Sequence, residues 1–402
     1  MKDPKTTDSL VSTDDGQKNP PISLEKIEEQ LQTHFDFRYN IISNQVESKL
    51  KTDSVFKPVN ENSVFRHMHL NKFPIPMSKL KILLGSNFVE EYNPLELYFQ
   101  RHKKTYQPGI HGDYISNLVK HCEVEDHDFF VRILKYWMVR SVATILNPKE
   151  FNKSILVIFN NKQNSGKTTF VRNLFPDEIR EYVMENQLND SKDGIITLSQ
   201  AAFHILDEME ALIKMGIQSF KSLISKDKID LRPPYGVNII SKPRITSFIG
   251  TSDCYGFLKE DVGTARFIVQ EVKSFDFSYS KEIDADILWS QAYFLYRKRQ
   301  FNSLSNADKH AIHENNKKYI ETSFISECIM DIAKPSDKEN GTFMQANEII
   351  KLLQSIHGNF PITDRKIGHS LNSLGFQRVK YYCPERQNSL FGFFLELSTR
   401  NP

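Results

Sequence analysis

The segment Ile155-Leu-Val-Ile-Phe159 runs directly into Asn160-Asn-Lys-Gln-Asn-Ser-Gly-Lys-Thr-Thr169. Five apolar residues without a charge read as a strand buried on both faces, the kind found inside parallel sheets. The residues Asn161 to Thr168 then fit G-x-x-x-x-G-K-[ST], with Asn in place of the first Gly. Such a loop folds its backbone N–H groups around phosphate oxygens. Asn164, Ser165, Gly166 and Thr169 belong to this cradle, Lys167 is placed to reach the β- and γ-phosphates, and the Thr168 hydroxyl to hold Mg²⁺. Asn161 is expected to replace Gly because Asn also enters the left-handed region. The next residues, to Leu174, read as a helix whose N-terminus adds to the anion site. A strand, loop and helix in this order restrict the fold to an α/β class with ligands at the C-terminal strand ends.

A phosphate loop needs an acidic partner. Phe203-His-Ile-Leu-Asp-Glu208 offers one, a short apolar strand ending in two carboxylates 40 residues after Lys167. Asp207 is expected in the metal shell, and Glu208 to orient and polarise water. A third strand, Arg244 to Asp253, ends in Thr251, Ser252 and Asp253, expected beside the γ-phosphate. Asp253 fits least well there, because a carboxylate beside a triphosphate is repelled unless a cation intervenes. Arg266, just beyond on a Gly-containing turn, is a candidate to reach a neighbouring subunit's nucleotide. A surface ion pair is the plainer reading of it.

The block from Ile155 to Val272 resembles the virulence-associated protein E family, P-loop ATPases close to the superfamily 3 helicases of viruses, plasmids and other mobile elements. The resemblance lies in NKQNSGKTTF, FHILDE, LRPPYG (Leu231 to Gly236), FIGTSD and VGTARF, and extends weakly over about residues 30 to 335. It implies an AAA+-like ATPase core using ATP and Mg²⁺, and a ring, usually of six subunits, that moves along DNA. The family commonly has Gly at Asn161, Asn at Asp253 and two adjacent Arg residues at Ala265-Arg266.

Relatives of that kind place a hairpin before the third strand, pointing into a central channel. Here it is Lys226 to Arg244, turned at Pro233-Pro234 and Gly236, with five basic residues against two acidic ones. Lys228, Arg232 and Lys242 are candidates for strand phosphates, and Tyr235 for a base. Packing of Tyr235 on its own domain is the alternative. At the C-terminus two helices, Ala346 to Ile356 and Thr363 to Leu374, precede two β-like runs, Phe376 to Tyr382 and Leu390 to Leu397. That order is a winged-helix pattern. It would present Arg365, Lys366, His369 and Asn372 to duplex DNA, although such modules also serve protein contacts.

With 402 residues and a net charge of +2, nucleic-acid affinity must come from local basic patches. No apolar run is long enough for a membrane span or a signal-peptide core. Four cysteines without C-x-x-C spacing fit a reduced, cytoplasmic protein. The irregular spacing of His111, His121, Cys122 and His127 favours solvent-facing histidines over zinc ligation. The expected organisation is a disordered tail over 1–21, a small α/β segment over 22–92 with alternating stretches around Phe37 and Phe65, and a helical collar over 93–150. An ATPase core over 151–275, a helical lid over 276–335 and a winged-helix domain over 336–402 complete it. The collar's aromatic helix reads as core packing or as an oligomer contact. The functional expectation is an ATP-dependent DNA helicase or replication initiator of a phage or mobile element, a hexamer that works with a separate primase. The alternative is a non-translocating ATP switch that regulates or defends. A small-molecule kinase is disfavoured by the hairpin and the C-terminal module.

Overall fold

The computed structural model describes residues 22–147, 149–185, 192–209, 217–232, 238–258, 264–320, 324–358, 360–383 and 387–397. The expected tail over 1–21 and the hairpin tip with Tyr235 lie outside these residues.

The N-terminal part begins with the helix Leu24–His34, whose start is capped by Ser23 Oγ accepting from the Lys26 amide. Strands β1 (Phe35–Asn40), β2 (Gln45–Leu50), β3 (Lys57–Pro58) and β4 (Glu90–Tyr92) form a sheet in the order β3-β2-β1-β4. Phe37 lies in β1 as the alternation predicts, but the stretch around Phe65 is the helix Glu61–Leu70. Asn60 starts it by accepting from Ser63 N, and Val64 and Met68, one helical turn apart, are its buried face.

Beyond the ribbon strand β5 (Cys122–Glu123), the helix His127–Leu146 buries most of its surface and leaves Asp128, Arg132, Tyr136 and Arg140 as a stripe along one side. Its aromatic face goes into the core. Trp137 is fully buried and its indole N–H donates to Phe248 O at 2.8 Å. Trp289, from the helix Ala285–Arg297, packs beside it at 6.3 Å between ring centroids.

The central sheet is built from β6 (Ile155–Phe159), β7 (Val183–Met184), β8 (Phe203–Leu206), β11 (Ser247–Ser252) and β12 (Phe267–Glu271). The hairpin of β9 (Lys228–Leu231) and β10 (Ile240–Pro243) intervenes along the chain. The sheet order is β12-β6-β11-β8-β7 with every neighbouring pair parallel. β6, β8 and β11 are buried along their whole length because helices cover both faces. Register sets the functional edge. Phe159 pairs with Ser252, and Gly250 with Leu206, so the loop after β6, Asp207 and Thr251 emerge side by side.

A short strand, β13 (Ser274–Phe275), pairs back with β5. The helices Ala285–Arg297 and Asn306–Asn316 come next. The helix Phe324–Ile332, however, shares a core with the C-terminal segment, Ile329 packing with Ile349, Ile367 and Phe393. The expected edge at 335/336 thus falls inside this packed unit. Two helices, Ala346–His357 and Asp364–Ser373, sit against an antiparallel sheet. That sheet contains β14 (Ala333–Pro335), β15 (Thr342–Met344), β16 (Arg378–Cys383) and β17 (Asn388–Leu397), of which the sequence pattern marks only the last two.

Candidate functional site

Three elements meet at one oxygen. Thr168 Oγ1, in the first turn of the helix Lys167–Asn173, donates to Asp207 Oδ1 at 2.8 Å. Thr251 Oγ1, at the end of β11, donates to the same atom at 2.6 Å. Glu208 N donates to Thr251 Oγ1 at 3.4 Å. Glu208 holds φ at 53°, a left-handed conformation that costs energy for a residue with a Cβ. Such strain is kept where the surroundings over-determine it, and here it turns the chain out of β8 directly after Asp207.

The loop after β6 is arranged around Lys167. Its ammonium is buried and donates to Asn160 O and Lys162 O at 3.0 Å each and to Ser165 Oγ at 3.3 Å. Two loop residues carry positive φ, Asn164 at 53° and Gly166 at 90°. Asn161 does not, which corrects the expectation that it replaces Gly for its left-handed backbone. Asn161 is exposed and stands outside the cavity.

A cavity of about 420 Å³ is lined by Gln163 to Thr169, Asp207, Glu208 and Thr251 to Asp253. It therefore collects every residue the sequence nominates for phosphate or metal except Asn161 and Arg266. Asp253 Oδ1 accepts from its neighbour Cys254 Sγ at 3.2 Å.

Sequence reasoning misses Asn160. It is buried, its Nδ2 donates to Val272 O and Lys273 O, and its Oδ1 accepts from Lys162 N. This ties the root of the loop to the exit of β12. Only the later strand's return could reveal it.

Arg266 lies in a 3-10 turn just before β12. Phe267 pairs with Ile155 while Glu271 pairs with Phe159, so Arg266 is roughly 15 Å from its own chain's loop, at the opposite end of the adjacent strands.

The basic hairpin has the expected pairing, Leu231 opposite Ile240. Lys228 and Arg232 are exposed on it. Lys242 is not a free strand contact. Its ammonium donates to Asn44 Oδ1 at 2.6 Å and Tyr39 OH at 3.3 Å, and burial lowers its pKa. Arg244, counted in the basic tally, is fully buried. It donates to Lys226 O at 2.7 Å, Asn152 O at 3.2 Å and Ile224 O at 3.3 Å, lies over the Phe151 ring, and burial pulls its pKa down to about 9. It is a structural cation holding the hairpin root to the core.

In the C-terminal unit Arg365, Lys366 and His369 are exposed along the helix Asp364–Ser373, which Thr363 caps. They line a cavity of about 1450 Å³ together with Arg378 and Phe391 of the facing hairpin. No sequence motif nominates Arg378 or Phe391. The Arg378 guanidinium lies over the Phe391 ring at 5.0 Å.

His111, His121, Cys122 and His127 have separate surroundings. His111 Nδ1 accepts from Gln107 N, His121 lies against Asp276, and Cys122 is buried with its thiol pushed up to about 12.

The model of the virulence-associated protein E-like domain matches residues 106–321, more than half of the chain, and the chain belongs to that family. No curated protein matches the sequence. Among solved structures, the A-form apo structure of the NrS-1 C-terminal region is similar with a TM-score of 0.47 and 13% identity, covering 94% of this chain and 100% of that one. A second apo structure of the same region has a TM-score of 0.47 and 13% identity over 93% of this chain and 98% of the other. No helix among the described residues is long and apolar enough to cross a membrane.

Proposed function

We propose that the cavity binds a nucleoside triphosphate with Mg²⁺ and hydrolyses it, and that the protein is a DNA-directed ATPase of a mobile element's replication apparatus. The observation that carries this is the meeting of Thr168, Thr251 and Asp207 at one carboxylate oxygen beside Lys167 and Glu208.

The residues present fit the ligand. Thr168 donates a hydrogen bond to Asp207 and keeps its oxygen lone pairs free for a cation, so hydroxyl and carboxylate form a pair of hard oxygen donors suited to Mg²⁺. Mg²⁺ when bound neutralises charge on the triphosphate. Lys167 adds an ammonium beside the loop amides, and the left-handed Asn164 and Gly166 curve the backbone as a phosphate-binding P-loop requires. The sheet order, with β11 between β6 and β8, agrees with an AAA+-like core.

In hydrolysis Glu208 accepts the proton of the attacking water as its oxygen bonds to the γ-phosphorus, and the bond to the β-phosphate oxygen breaks, leaving ADP and phosphate. Thr251, joined to both Glu208 N and Asp207, couples the base to the metal side. Arg266 supplies transition-state charge stabilisation to a neighbouring copy in a ring, the reading its distance from its own cavity favours. Lys228 and Arg232 face single-stranded DNA, and the basic concave face of the C-terminal unit, a winged helix in this reading, takes duplex DNA. The expected stoichiometry is a hexamer, with a primase as a separate partner.

A second reading is a non-translocating ATP switch. The anchoring of Lys242 to Asn44 favours it, because it restrains the hairpin a motor would move. DNA-stimulated ATP hydrolysis together with unwinding of a forked duplex separates the two. A motor does both, a switch binds ATP and DNA without strand separation, and neither reading survives a protein that does not bind ATP.

A further inference from the structure

The phosphate cavity accounts for a triphosphate but leaves open what receives the nucleobase. An aromatic group stands at its border. The turn after β13 carries Phe277, whose ring lies so close to Gly166 that a Cβ there would run into it. Its neighbours face inward. Phe275 and Tyr279 pack on Phe170, from the helix Lys167–Asn173, at 5.0 and 5.7 Å between centroids. Phe277 contacts both, at 6.0 and 5.8 Å, yet remains 42% exposed.

The turn is fixed by its own bonds. Asp276 N donates to His121 O at 2.8 Å, and Ser278 N and Oγ donate to the two Asp276 carboxylate oxygens at 3.0 and 2.9 Å. Tyr279 OH accepts from Asn173 Nδ2 at 3.1 Å, locking the segment to the end of the same helix. A large apolar ring is thus left partly in water beside the loop. It suits a flat ligand that completes its burial.

We propose that Phe277 is the nucleobase platform of this site, an inference that rests on the nucleotide reading above. Phe277 lies against Gly166 at the border of the phosphate cavity without lining it, within reach of a nucleoside whose phosphates the loop holds. Stacking reads ring area rather than base edges, so the platform favours purine over pyrimidine triphosphates.

The test is calorimetric titration of the full chain, with Mg²⁺, by ATP, CTP and inorganic tripolyphosphate. Phe277→Ala is expected to weaken ATP by about 5- to 100-fold and to leave tripolyphosphate unchanged. Phe277→Trp retains ATP affinity, and Phe277→Leu, which keeps bulk but loses the ring, behaves like Phe277→Ala. Circular dichroism checks that each variant is folded. ATP binding by Phe277→Leu equal to that of the unaltered protein, or equal ATP and CTP affinities, would overturn the platform while the phosphate site stands. Failure of the unaltered protein to bind either ATP or tripolyphosphate would overturn both.

Discussion

Thr168 and Asp207, 39 positions apart in the chain, share a hydrogen bond of 2.8 Å. The register of the parallel strands creates it. Phe159 is level with Ser252, and Leu206 with Gly250, so the residues after β6 and β8 reach the same edge as the last residues of β11. If this pair holds a metal, Thr168→Ala and Asp207→Ala should each reduce hydrolysis at least about 100-fold. Raising the Mg²⁺ concentration should rescue Thr168→Ala better than Asp207→Ala, because only the second removes charge. Steady-state phosphate release against Mg²⁺ concentration checks this.

Lys167 and Glu208 should separate binding from chemistry. Lys167→Ala removes the buried ammonium and is expected to abolish detectable ATP binding. Glu208→Gln keeps the shape and should bind ATP within a few-fold of the unaltered protein, while kcat falls about 10²- to 10⁴-fold. Equal losses of binding in both variants would remove Glu208 from the role of base.

Arg266 tests assembly. Because Arg266 starts from the far end of β12, roughly 15 Å from its own chain's loop, Arg266→Ala and Lys167→Ala should each be inactive alone but partly active when mixed, one donating the arginine and the other an intact loop. Phosphate release by a series of mixing ratios reads this. Complete inactivity at every ratio would place Arg266 outside the chemistry.

Most of the proposed site is legible in short motifs because its residues lie at three strand ends, and one contiguous loop supplies Lys167 and Thr168. Sequence reading fails where a residue's partners come from elsewhere in the chain. Lys242 and Arg244 count as surface charge in a linear tally, yet Asn44 and Tyr39 claim one, and Asn152 and Phe151 the other. The left-handed backbone expected at Asn161 belongs to Asn164. The stretch around Phe65 is helical because Asn60 caps it and the pattern that matters has Val64 and Met68 inside. Phe277 has no motif to mark it.

His204, on the strand delivering Asp207, is buried, and desolvation pulls its pKa down to about 4. Its unfolded value is about 6.5. Between these values the unfolded chain binds the proton that the folded one refuses, so stability falls as pH drops from about 6.5 to 4. The loss is on the order of 3 kcal/mol. Thermal melting of His204→Gln beside the unaltered protein should show a shallower acid slope for the variant over that window. Identical slopes would mean that His204 takes no part.

In the proposed function Lys167, Thr168, Asp207 and Glu208 enclose a magnesium triphosphate. A cryo-electron microscopy or crystal structure with Mg²⁺ and a non-hydrolysable ATP analogue tests it most directly. Phosphate density is expected in the 420 Å³ cavity, with Thr168 and Asp207 on the metal side and Glu208 facing the γ-phosphate. Analogue bound elsewhere, or a cavity left empty at saturating concentration, would contradict it.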